Sequence, residues 1–174
     1  MSFTLPDDLA PEVYPLAWLV GRWHGRGVVV YPGIPETPVV QDVVVGHDGG
    51  PYLTWTSTLR VADDGAAGRV WSTESGYWCV PADRPADVPP ERFGVELLLV
   101  DPAGHLSLYV GQTGNGRIDL VSDLVTRTPD AAPLAAGTRL YGLVEGDLMW
   151  TWDIAAFGQP LQSYASARLS RVAP

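Results

Sequence analysis

The sequence predicts an all-β fold, an antiparallel barrel or a sandwich, and three features carry that expectation. Runs of strand length alternate between apolar and polar residues. Short turn signals divide these runs, with no helical pattern between them. Several runs carry apolar or aromatic residues on both faces, which suits a barrel whose inner wall lines a cavity. An oligomer interface covering the outer wall is the other explanation of two apolar faces.

Taken in order, residues 1–8 read as a loose tail and residues 9–174 as one domain. Leu9 to Val20 could form one or two helical turns, capped by Asp7 or Asp8 and kept short by Pro11 and Pro15. Strand character begins at Trp23 and continues through Val28–Tyr31 and Val39–Val45. His47-Asp48-Gly49-Gly50 is a turn. Leu53, Trp55, Ser57 and Leu59 then alternate with polar residues. So do Leu148, Trp150, Trp152 and Ile154, whereas Leu106, Leu108 and Val110 oppose His105, Ser107 and Tyr109. Asp63-Asp64-Gly65, Asn115-Gly116 and Glu145-Gly146 mark hairpins, and Pro81–Pro90 and Thr128–Thr138 read as long loops.

The 174 residues suit one domain large enough to fold without staples. Hydrophobic residues make up 46% and charged residues 18%, a globular balance. With 11 basic and 20 acidic residues the net charge is −9. That excess of acid argues against nucleic acid and anionic membranes as partners. Cys79 stands alone, so no intrachain disulfide can form. The N-terminus lacks a basic region and an apolar core, so a cytoplasmic location is expected.

Enzyme signatures are missing. There is no phosphate-cradling glycine loop and no dinucleotide motif. His24, His47 and His105 share no ligand spacing, which argues against a zinc site. Glu74 lies mid-strand with no second carboxylate near it in sequence, so it is either solvated or paired inside. No catalytic residue is assigned.

One segment is more specific. Gly21-Arg22-Trp23-His24-Gly25-Arg26-Gly27 reads as G-x-W-x-G-x-G. Trp23 can plug one barrel end, while Gly25 and Gly27 permit a sharp bend or close backbone approach. The motif resembles the signature of nitrobindins, haem-binding relatives of the fatty-acid-binding and lipocalin-like barrels. Tyr31-Pro32-Gly33-Ile34, Glu74-Ser75-Gly76-Tyr77, Ser122-Asp123-Leu124 and Pro160-Leu161-Gln162 look like further family segments in the same order. The resemblance runs from about Leu16 to Leu169. It implies a closed, ten-stranded antiparallel barrel with a short N-terminal helical cap. It also implies ferric haem b held by a last-strand histidine, with nitric-oxide binding and isomerisation of peroxynitrite to nitrate.

The sequence departs from that family at both expected haem contacts. Tyr164, in Leu161-Gln162-Ser163-Tyr164, stands where the resemblance puts the ligand histidine, and Gly33 where it puts a threonine. No histidine follows His105. A tyrosinate can ligate ferric iron if a neighbour lowers the phenol pKa. Arg168, four residues on along the same strand face, is about 13 Å away and too far to do so. Three readings follow: a barrel that has lost iron-coordinated haem and binds a small hydrophobic ligand in its cavity; a haem protein with Tyr164 on the iron; and a non-catalytic assembly barrel, for which a homodimer is one form. On the first no cofactor or metal is required, and on the second haem b is the cofactor.

Overall fold

The computed structural model describes residues 6–63 and 66–173. It begins with a 3-10 helix over Pro11–Leu19. Neither Asp7 nor Asp8 caps this helix; Ala10 is the N-cap, without a side-chain bond, and Pro11 supplies the first-turn φ instead. Val13, Leu16 and Leu19 are fully buried, each contributing roughly 1.5–3 kcal/mol by leaving water.

Ten strands follow: β1 (Gly21–Tyr31), β2 (Ile34–Gly46), β3 (Tyr52–Asp63), β4 (Ala66–Cys79), β5 (Phe93–Val100), β6 (His105–Gly114), β7 (Arg117–Arg127), β8 (Leu134–Val144), β9 (Asp147–Ala156) and β10 (Gln162–Arg171). Each is antiparallel to the next, and β1 pairs with β10 to close the barrel. The expected closed, ten-stranded barrel is therefore the observed architecture. Asn115-Gly116 and Glu145-Gly146 take positive φ at both positions, matching the twist of two-residue hairpins. The turn at Asp63-Asp64-Gly65 lies outside the described residues at its last two positions.

β1 crosses β10 with no space between backbones. Gly25 faces Leu169 and Gly27 faces Ala167 across the ladder. A Cβ on either glycine would overlap the carbonyl of Arg168 or Ser166. The close approach expected of the motif glycines is thus a steric requirement. Trp23 fills the barrel end beside the 3-10 helix, its Nε1 donating to the Leu19 carbonyl at 2.8 Å. Arg171 lies over the Trp23 ring at 4.1 Å and donates to the carbonyls of Trp18 and Val20, locking the last strand to the helix.

The loop expected at Thr128–Thr138 needs correction. Thr128–Thr138 is a loop only as far as Pro133. β8 starts at Leu134 because β9 supplies its partners, despite a local Ala-Ala-Gly run of low strand propensity. On β6 the leucines do not face inward: Leu106 is 52% exposed, while Tyr109 is fully buried and His105 nearly so. The interior takes the aromatic and polar residues, and Leu98, Val100, Leu106 and Leu124 stand outward. Among the described residues no helix is long and apolar enough to cross a membrane.

Candidate functional site

The interior divides into two regions. Towards the helix-plugged end, Trp55, Trp78 and Tyr141 meet edge to face with ring centroids 5.2–5.9 Å apart, a geometry worth roughly 0.5–1.5 kcal/mol per pair beyond burial. Gln41 satisfies two polar neighbours there: its Oε1 accepts from Trp150 Nε1 at 2.7 Å, and its Nε2 donates to Ser57 Oγ at 2.8 Å.

Glu74 resolves as the paired alternative. Its carboxylate takes a bidentate hold on the Arg139 guanidinium, with Nη1 to Oε1 at 2.8 Å and Nη2 to Oε2 at 2.7 Å. Trp55 Nε1 also donates to Oε1, at 3.1 Å. Arg139 is 4% exposed, and its Nη1 additionally donates to Tyr141 Oη at 3.1 Å. Burial opposes its charge, but Glu74, joined by Tyr141 and Tyr109, outweighs burial and keeps the guanidinium firmly protonated. The cation lies over the ring of Trp152 at 4.2 Å and of Tyr109 at 5.1 Å. Sequence reasoning missed Arg139 because the pair is separated by 65 residues. The only hint was an arginine on the inward phase of an alternating strand.

Tyr164 occupies the mouth at the opposite end from the 3-10 helix. Ser163 pairs with Asp153 and Ala165 with Trp152, so Tyr164 is the extra residue of a β-bulge. The bulge turns its ring inward against Trp152, 5.1 Å between centroids, and against Tyr31 at 6.0 Å. It also breaks the strand alternation. Arg168 therefore does not share a face with Tyr164; it points out and pairs with Asp147 at 2.6 Å and Glu145 at 3.4 Å. Trp71 Nε1 donates to Tyr164 Oη at 2.8 Å. Burial pushes the Tyr164 phenol above its ordinary pKa, Trp71 opposes this, and Asp101 adds to it.

The other sequence candidates are spread out. Gly33 sits on the exposed β1–β2 turn with φ of 85°, and nothing lies within 4 Å of where its Cβ would be. Its conformation explains the glycine, and it does not line the interior space around Tyr164. His24 pairs with Asp42 on the outer wall and His47 approaches Asp8, far from the mouth. His105 does lie near the mouth, but both ring nitrogens face acceptors. Nδ1 meets the Asp101 carboxylate at 3.1 Å and Nε2 the Ala132 carbonyl at 2.8 Å. Cys79 is half-buried, its thiol pushed up by burial and by Glu96, which suits a core residue better than a nucleophile.

Little open space remains among these groups. One cavity, lined by Gln41, Glu74, Arg139, Trp152 and Tyr164 among others, measures about 10 Å³. A second, between Glu74, Asp101, His105, Arg139 and Trp152, also measures about 10 Å³. Each holds roughly one water molecule. The broad ligand cavity expected from the two-faced strands is filled in this conformation by the ion pair and the aromatic rings.

Comparison with known proteins agrees with the architecture. The chain matches the model of the THAP4-like, heme-binding beta-barrel domain over residues 12–171. It is 47% identical to a ferric nitrobindin-like protein of Beutenbergia cavernae, covering 99% of this chain and 100% of that one. It is 42% identical to a peroxynitrite isomerase of Clavibacter michiganensis, covering 97% and 98%. The crystal structure of Rv2717c from M. tuberculosis superposes with a TM-score of 0.80 at 31% identity, covering 95% of this chain and 99% of that one. A closed ten-stranded barrel carrying the G-x-W-x-G-x-G segment, matched over nearly its whole length, places this chain in the nitrobindin family, the THAP4-like heme-binding β-barrel domains.

Proposed function

We propose that this chain is a nitrobindin-type barrel that has given up iron-coordinated haem and takes a small apolar ligand at its mouth. The observation that carries this reading is the setting of Tyr164. Its hydroxyl accepts from Trp71, and its ring is boxed by Trp152 and Tyr31. A phenol serves iron as tyrosinate, which needs a neighbour that lowers its pKa. Here burial outweighs the lowering by the Trp71 hydrogen bond, Asp101 adds to burial, and no cation pairs with the phenol among the described residues. His105 offers no free nitrogen. The interior cavities of about 10 Å³ compare with the several hundred Å³ of sites that enclose larger organic ligands. The residues present therefore do not fit a porphyrin. Flat faces of Trp71, Trp152 and Tyr164 would grip a small apolar molecule once the Tyr164 ring swings aside.

An absorbance titration with ferric haem tests this. Wild type should give no saturable Soret change, and Tyr164→His should gain one. A saturable change in wild type that disappears in Tyr164→Phe would overturn the reading in favour of haem b on Tyr164. That second reading has two observations in its favour. The Tyr164 hydroxyl faces the interior from the position where the family resemblance puts the iron ligand, and similar proteins carry the names ferric nitrobindin-like protein and peroxynitrite isomerase. Peroxynitrite isomerisation by this chain would follow only from that outcome.

A further inference from the structure

Among the buried polar atoms that have no hydrogen-bond partner among the described residues are Arg139 Nε, Trp152 Nε1 and Tyr109 Oη. They come from β8, β9 and β6, and the Tyr109 and Trp152 atoms face a common point beside Gly137. A Cβ on Gly137 would lie 2.9 Å from Tyr109 Oη and 3.0 Å from Trp152 Nε1. Gly137 precedes Arg139 by two residues on the same face of β8, and the Arg139 guanidinium lies between the Tyr109 and Trp152 rings. Arg139 and Tyr109 are 4% and 0% exposed. Glu74 and Tyr141 occupy the two terminal nitrogens of Arg139, leaving Nε as the donor on the other edge.

We infer that Arg139, Trp152 and Tyr109 form an internal site for one compact hydrogen-bond acceptor, a halide-sized anion or a water oxygen. Two of the atoms donate only, and the Tyr109 hydroxyl can turn to donate. Three converging donors with no unpaired acceptor among them match a single lone-pair-rich atom. The adjoining cavity, whose lining includes Glu74, Asp101, His105, Ser107, Arg139 and Trp152, measures about 10 Å³, which admits one such atom and excludes a larger organic group. Glu74 already balances the Arg139 charge, so hydrogen bonding, rather than excess positive charge, must select the occupant. Gly137 keeps the site open, because a side chain there would crowd both Tyr109 Oη and Trp152 Nε1.

The inference rests on the haem-free interior proposed above, and the experiment separates the two. Full-length protein shown to lack a Soret band is crystallised once in sodium bromide and once in sodium gluconate, with data collected above the bromine absorption edge. An anomalous peak within hydrogen-bond distance of Arg139 Nε and Trp152 Nε1 identifies an anion site. An oxygen-sized peak at that point in both salts identifies a held water. No density there in either crystal overturns the inference while leaving the haem reading intact; a wild-type Soret band overturns the haem reading before crystallisation. Where bromide binds, Tyr109→Phe should weaken its thermal stabilisation about tenfold in bromide concentration. Gly137→Ala, which fills the approach instead of removing a donor, should abolish the peak. Unchanged bromide binding in both variants would also overturn the assignment.

Discussion

Removing one member of the Glu74–Arg139 pair should be among the most damaging single changes this barrel can suffer. Both bonds of the bidentate contact are short, at 2.7 and 2.8 Å, and side-chain exposure is 4% for Arg139 and 16% for Glu74. Breaking such a pair strands a buried charge, which costs about 3–5 kcal/mol. For a chain of this size that is a Tm fall of roughly 6–20 °C. The two single variants should differ in their response to acid. A carboxylic acid can discharge by taking up a proton, and a guanidinium cannot. The loss in Arg139→Met should therefore ease as the buffer is acidified, while the loss in Glu74→Gln should not. The double variant should lose less than the two singles summed, because neither charge is then stranded. Urea midpoints for the four proteins at two pH values give the comparison. Singles within ~1 kcal/mol of wild type, or a fully additive double variant, would refute the view that the pair is a desolvated plug.

Other outcomes follow from the same geometry. Gly25→Ala should destabilise the barrel by at least ~2 kcal/mol in urea unfolding, because the new methyl overlaps the Arg168 carbonyl; a neutral result would mean that β1 and β10 can separate freely. Tyr31 Oη accepts from Ala156 N at 3.0 Å and donates towards the carbonyls of Ile154 and Ala156. Tyr31→Phe should therefore cost about 1–3 kcal/mol and speed amide exchange at Ala156, and unchanged exchange would count against that clamp. Burial pushes the Tyr141 phenol up to about 12, whereas the unfolded chain sheds that proton near pH ~10. Stability should be full below about pH 10 and fall as pH rises towards 12, by up to ~1.4 kcal/mol per unit. Tyr164, also raised, contributes with the same sign. An alkaline slope in Tyr141→Phe as steep as in wild type would remove Tyr141 as its source.

Most of the fold could be read in the sequence, because barrel strands announce themselves by alternation and hairpins by Asn-Gly and Glu-Gly turns. On β9, Leu148, Trp150, Trp152 and Ile154 are the inward set that alternation names. β6 shows where this rule fails. Hydropathy alone would turn Leu106 and Leu108 inward, yet the barrel buries Tyr109 and His105. The inner wall needs partners for Arg139 and Asp101, and Tyr109 supplies a ring face for the first while His105 bonds to the second. Inward phase is set by the chemistry of facing strands, which a single strand's pattern does not contain.

The mouth was harder to read for a related reason. Tyr164 and Trp71 are joined by a hydrogen bond across 93 residues, and each is the unpaired residue of a bulge. Tyr164 falls between Ser163 and Ala165 on β10; Trp71 falls between Val70 and Ser72 on β4, where Leu59 pairs with Ser72 and Arg60 with Val70. A bulge adds one residue to a strand and so reverses the facing of everything beyond it. Counting from Arg168 by twos therefore sets Tyr164 on the outer wall, when it lies inside. The family resemblance singled out a position that lies inside the barrel because it marks a residue by its neighbours, not by its phase. Motif and periodicity thus fail in different places. The motif locates Tyr164 but is silent on Arg139, whereas alternation puts Arg139 inside but misplaces Tyr164. The site becomes visible only where the two are overlaid on the register of the closed barrel.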